Sequence, residues 1–138
     1  MVTFIDTSSL VKKYVAETGS DQMEVLLGGT SEIIVAPIAW IEFNSAISQA
    51  VRDRRITPRE SSQVLSEAER DFRSYSIVVW NETLADRAAE AIHRHSLATL
   101  DAIQLASGLL SEVEVFATSD RKLFREARKV ISGTRYIG

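Results

Sequence analysis

Four carboxylates stand out in this 138-residue sequence because of what surrounds each of them. Asp6 follows a short apolar run, Val2-Thr3-Phe4-Ile5, and is followed by three hydroxyls, Thr7, Ser8 and Ser9. Asp120 closes a second run of hydroxyls and acid, Thr118-Ser119-Asp120, again after apolar residues. Asp101 stands at the opening of a helical pattern, and Glu42 lies among Ile41, Phe43, Ala46 and Ile47, where a charge needs a partner or a solvated cleft. Acids converging on one cleft repel one another unless a cation is present, and hard oxygen donors of this kind select Mg²⁺, with Mn²⁺ as a substitute. Zinc would ask for Cys or His. The chain has no Cys, and its two histidines, His93 and His95, sit two residues apart in a polar helix end and read as surface residues. A metal held by acids at an open edge suits hydrolysis of phosphodiesters, since it lowers the pKa of a bound water and stabilises the charge of an in-line displacement. Each acid also has a simpler reading. Asp6 can be a turn residue or a helix cap, and a carboxylate in the first turn of a helix is favoured by roughly 0.3–1 kcal/mol in any case.

The elements that must position these groups follow from apolar patterning. Val2, Phe4 and Ile5 favour a strand, and a run with so little alternation suits one covered on both faces. Leu10, Val11, Tyr14 and Val15 then recur at helical spacing behind the hydroxyls, which offer N-cap chemistry, so Asp6 is expected at a βα turn. Ser20 is a plausible cap for a short helix that Gly28-Gly29 stops. Ile33-Ile34-Val35-Ala36 reads as a second strand, and Pro37 suits the first position of a helix carrying Glu42. Glu42 is five residues past Pro37, roughly 8 Å along the axis. Its side chain leans back toward the helix N-terminus and so toward the edge where Asp6 ends. Thr57-Pro58-Arg59-Glu60 is a capping box that starts a further helix, forming a hairpin with the one before. Ser76-Ile77-Val78-Val79-Trp80 reads as a third strand, and Asn81 as the cap of a helix ending near His93-Arg94-His95. A helix from Thr99 and a fourth strand, Val113-Glu114-Val115-Phe116-Ala117, precede Asp120. Val130-Ile131 or Tyr136-Ile137 could add a fifth, edge strand. Strands alternating with helices throughout imply an α/β fold with a parallel sheet of four to five strands, whose ligands bind outside the carboxyl ends of the strands.

Composition sets the class. With 45% hydrophobic and 25% charged residues the chain is expected to form one ordinary globular domain over 1–138. Its first residues lack a signal-peptide layout and no apolar run approaches the roughly 20 residues that span a bilayer, so a cytoplasmic protein without membrane contact is expected. The net charge of −3 is uneven. From Val115 onward six Lys or Arg face two acids, a local +4 that leaves −7 on the first 114 residues. A polyanion beside the basic end fits this distribution, as do ordinary solvated helix faces.

Ile5-Asp6-Thr7-Ser8, Ile41-Glu42-Phe43-Asn44-Ser45-Ala46, Leu100-Asp101-Ala102-Ile103-Gln104-Leu105-Ala106 and Ala117-Thr118-Ser119-Asp120-Arg121-Lys122-Leu123 resemble, in order, the four motifs of the PIN domain. In particular the chain resembles VapC-type toxins of toxin-antitoxin pairs over essentially its whole length. The resemblance implies a three-layer α/β/α sandwich and an endoribonuclease dependent on Mg²⁺ or Mn²⁺. Asp6, Glu42, Asp101 and Asp120 would then be the acidic quartet that binds metal and activates water, with Thr7, Thr118 and Ser119 as supporting groups. It also implies a homodimer, and a complex with a cognate antitoxin. Arg121 and Lys122, next to a quartet member, are the preferred RNA contacts. Arg125 and the hairpin residues Arg52, Arg54, Arg55 and Arg59 are further candidates. Two other readings stay open: a PIN-like scaffold that only binds a partner, and a receiver-like regulatory module. Against the second, the third strand ends in Trp80-Asn81, where a receiver would carry its phosphorylated Asp.

Overall fold

Val2–Ile5 forms strand β1, and it lies in the middle of the sheet, as its apolar run requires. In the computed structural model, which describes residues 1–138, it is followed by α1 (Thr7–Tyr14), α2 (Ser20–Gly28), β2 (Glu32–Val35), α3 (Ala39–Arg52) and α4 (Pro58–Phe72). The second half holds β3 (Ser76–Ile77), α5 (Glu82–His95), α6 (Thr99–Leu110), β4 (Val115–Thr118), α7 (Arg121–Ala127) and β5 (Thr134–Tyr136). All pairings are parallel and the strand order is β3-β2-β1-β4-β5. Helices cover both faces, which makes the three layers and gives each inner strand two buried sides.

The strand period of two divides the core. Ile5, Val35, Val115 and Ala117 point to one face, where α1 to α4 supply Leu10, Val11, Met23, Phe43, Ile47 and Phe72. Phe4 and Phe116 point to the other, where α5, α6 and α7 supply Leu84, Leu105, Ala106 and Leu123. Phe4 and Phe116 are register partners, with stacked rings 5.1 Å apart. Both are fully buried, so truncating either to Ala should cost about 3–5 kcal/mol. α6 comes close to this pair because Gly108 has no side chain: a Cβ there would stand 2.5 Å from the Phe116 ring.

Several boundaries differ from the patterning. β3 pairs only at Ser76–Ile77, because it is an edge strand with one neighbour, and Val79 and Trp80 continue past the pairing with their side chains exposed. Pro37 and Ile38 form a turn closed by Ala39 N–H to the Ala36 carbonyl, so α3 begins two residues later than Pro37. The fifth strand is centred on Arg135, and Val130 and Ile131 stay outside it. Ser20 does not cap α2. Gly19 does, at φ 97°, and the Ser20 hydroxyl instead receives the Glu17 N–H. Thr57 and Asn81 do cap, accepting from Glu60 N and Leu84 N, and the Thr57-Glu60 box closes reciprocally. His95 is a correction: it is buried, and its Nδ1 lies 3.1 Å from Glu126 Oε1. Two positions on a helix turn through about 200°, so with His93 outside, His95 faces inward. No helix is long and apolar enough to cross a membrane.

Candidate active site

From β1 the chain moves outward to β2 and β3, then returns to β4 on the opposite side of β1. That reversal leaves a crevice beyond the carboxyl ends of β1 and β4, where parallel sheets bind ligands. Asp6 and Asp120 both stand there. Asp6 follows β1 directly and its N–H bonds the Ala117 carbonyl of β4 at 2.9 Å. It occupies the N-cap position of α1 without capping it. Its carboxylate turns instead to the end of β4, where Oδ2 accepts from Thr118 Oγ1 at 2.8 Å and from Ser8 Oγ.

The hydroxyls of Thr7, Ser8 and Ser9 therefore tie the site together and do not cap the helix, contrary to the patterning. Thr7 Oγ1 donates to Glu42 Oε1 at 3.0 Å. Ser8 Oγ accepts the Ser119 N–H at 3.0 Å, and the Ser9 and Ser119 hydroxyls lie 2.8 Å apart. Thr118 Oγ1 also accepts the Asp120 N–H at 3.1 Å, so one threonine joins two of the acids. Asp120 caps α7 through Oδ1, which accepts from Leu123 N at 2.7 Å.

The remaining two acids come from opposite helical layers. Glu42 is in the first turn of α3 and Asp101 in the first turn of α6. Their electrostatics show that they share one space. Burial raises the pKa of Asp6 to about 7; the Ser8 and Thr118 hydrogen bonds oppose the rise, and the charges of Glu42 and Asp101 add to it. Glu42 is raised by burial against its bonds from Gln104 and Thr7, and by the charge of Asp101. Asp101 is raised by burial and by Asp120, with relief from Lys122. Asp101 is thus the acid that interacts with all three others.

The donor set is oxygen throughout, which suits a hard divalent cation. Asp6, Glu42 and Asp120 each give one oxygen to protein donors and keep the other free of them, while Asp101 accepts no protein hydrogen bond at all. Free oxygens on neighbouring acids are what a cation would draw together. No three acidic or imidazole side chains stand as a finished metal cage, however, so the arrangement is one of facing acids rather than a closed coordination shell. Beside it lies a cleft of about 530 Å³, lined by Thr7, Ser8 and Glu42 together with the apolar Ile38, Ile41 and Leu100.

The basic candidates are partly engaged. Lys122 Nζ donates to the Ser96 carbonyl at 2.6 Å, and the Arg121 guanidinium lies over the Tyr136 ring, 4.9 Å from its centre. Arg55 bonds Glu17 and Arg52 bonds Ser48 and Gln49. The patterning missed Gln104, whose Nε2 bonds both Thr7 Oγ1 and Glu42 Oε1. The signal was present: Gln104 is a polar residue among Ile103, Leu105 and Ala106, the same kind of anomaly that marks Glu42.

The PIN domain family model matches residues 3–130. Ribonuclease VapC45 of Mycobacterium tuberculosis (strain CDC 1551 / Oshkosh) is 30% identical over 112 residues, 78% of this chain and 75% of that protein. Among solved structures, a toxin-antitoxin complex from Klebsiella pneumoniae contains a chain that superposes with a TM-score of 0.69 at 15% identity, over 99% of this chain and 98% of that one. The protein PAE2754 from Pyrobaculum aerophilum superposes with a TM-score of 0.70 at 16% identity, covering 95% and 83% respectively.

Proposed function

The chain belongs to the PIN domain family, and from that premise we propose that it is an endoribonuclease dependent on Mg²⁺, or Mn²⁺ in its place, acting as the toxin of a toxin-antitoxin pair. The observation that carries this reading is the set of four acids from both helical layers and the sheet edge whose charges act on one another. The relatives named as VapC ribonucleases support RNA as the substrate.

In this reading Asp6, Glu42, Asp101 and Asp120 hold the metal. When bound, it supplies charge for the displacement and a more acidic water. Ser8 and Thr118 fix Asp6 by taking up Oδ2, so only Oδ1 is left for the cleft. Thr7 does the same for Glu42. Glu42 and Asp101, raised by burial and by neighbouring acids, are carboxylates whose charge a divalent cation would compensate, which suits groups that would hold it and orient its water. Thr118 holds Asp6 and the Asp120 backbone at one spacing. Arg121 and Lys122 lie beside Asp120, where they would meet the phosphate backbone and make binding salt-dependent.

Purified protein should cleave RNA with Mg²⁺ or Mn²⁺ and spare it with EDTA; robust cleavage in EDTA would overturn the mechanism. Asp6→Asn or Asp101→Asn should abolish cleavage while circular dichroism stays that of the wild type. The toxin role predicts growth arrest on expression, relieved by either variant and by co-expression of a cognate antitoxin that co-purifies as a complex. A homodimer is the expected state of the free toxin, to be read by analytical ultracentrifugation.

A further inference from the structure

Gln104 is 1% exposed on α6, and it is one of the two residues in the molecule with a fully buried side-chain polar atom left without a partner. That atom is its carbonyl, Oε1. Its amide is by contrast fully engaged: Nε2 reaches Thr7 Oγ1 at 3.2 Å and makes a short bond to Glu42 Oε1. Thr7 itself donates to the same Glu42 oxygen, so its hydroxyl is free to accept from Gln104. The three side chains form a closed triangle in which Gln104 donates to both others and Glu42 accepts from both. Rotating the carboxamide by half a turn would set Oε1 against the Glu42 carboxylate, so the triangle fixes its orientation. A buried carbonyl without a donor is destabilising, and packing alone would be served better by Leu or Met.

We propose that Gln104 is a positioning residue for Glu42: its carboxamide and Thr7 bind Oε1 together, so that Oε2 is the oxygen presented to the cleft. The inference rests on the acidic site proposed above. Gln104 touches neither substrate nor metal in this assignment; it acts by removing rotational freedom from a carboxylate that burial and Asp101 would otherwise push away. Partners of this kind are worth about 10–100-fold in activity or metal affinity.

The test uses Gln104→Leu, Glu42→Ala and the double variant in the full chain. Gln104→Leu removes the orphan carbonyl along with the donor, so its melting temperature should equal or exceed that of the wild type. Its kcat for RNA cleavage should fall about 10–100-fold with KM within twofold, and Mn²⁺ affinity by electron paramagnetic resonance should fall in parallel. In the Glu42→Ala background the same substitution should lower Mn²⁺ affinity no further. Gln104→Met should behave as Leu does, and Gln104→Glu should lower Mn²⁺-dependent activity at least as far by facing one carboxylate with another. Wild-type kcat in Gln104→Leu beside an inactive Glu42→Ala overturns this inference alone. So does a loss of Mn²⁺ affinity that adds to that of Glu42→Ala, or a loss of activity that tracks melting temperature across Leu and Met. Full activity in Glu42→Ala overturns the role of Glu42 and the inference with it.

Discussion

Asp6 carries opposite demands as a residue. Its folded pKa, raised mainly by burial to about 7, lies above the ordinary carboxylate value near 3.8, so the folded state binds the proton more tightly than the unfolded chain. For an acid raised in this way the stabilisation is present at low pH and is lost as pH rises between those two values. Three pKa units correspond to about 4 kcal/mol. In EDTA the wild type should therefore lose stability from pH 5 to pH 8 relative to Asp6→Asn, whose side chain has no proton to release. Urea titrations at the two pH values measure the difference, and parallel curves for the two proteins would refute the assignment. Adding Mg²⁺ at pH 8 should restore the wild type and leave Asp6→Asn unchanged, since a ligand stabilises only the state that binds it. Glu42 stood out because it broke an apolar pattern, and Asp6, Asp101 and Asp120 because they stand where strands end or helices begin. Their partners were less so: Ser8 to Asp6 is a local contact, but Thr7 to Glu42 and Thr118 to Asp6 span 35 and 112 residues and follow only from the assembled sheet.

Among the elements, α6 packs closely on β4, and its fit sets the position of Asp101 and Gln104. Gly108 rests on the Phe116 ring, where a Cβ would clash at 2.5 Å. Gly108→Val should cost about 1–3 kcal/mol by overpacking and should reduce cleavage beyond what the loss of folded protein explains. Cleavage normalised to the folded fraction checks this. Thr57→Ala offers the contrast, because it removes a working capping box at a distance from the acids. It should lower stability by about 1 kcal/mol and leave cleavage per folded molecule unchanged. The helix starts at Thr57 and Asn81 were readable because capping is local chemistry. β3 was read three residues too long because Val78, Val79 and Trp80 have strand-like side chains, yet pairing needs a neighbour and the edge offers only β2. The inward face of His95 was hidden for a related reason: its partner Glu126 lies on another helix.

For the molecule as a whole, the parallel sheet was implied by alternating strands and helices, and the burial of β1 on both faces by the scant alternation of its residues. What could not be read locally is that β4 returns to the far side of β1, which brings Asp120 to Asp6. That return decides when the site can form. Asp6 is made well before its partners, and its backbone N–H and its side chain both wait for residues 117 and 118 of β4. At about 5–20 residues per second of synthesis, the two halves of the site are separated by on the order of ten seconds on the ribosome. A nascent chain shorter than this has an open edge on β1 and no Thr118 to hold Asp6. The order of synthesis thus keeps the site unassembled until β4 has been made.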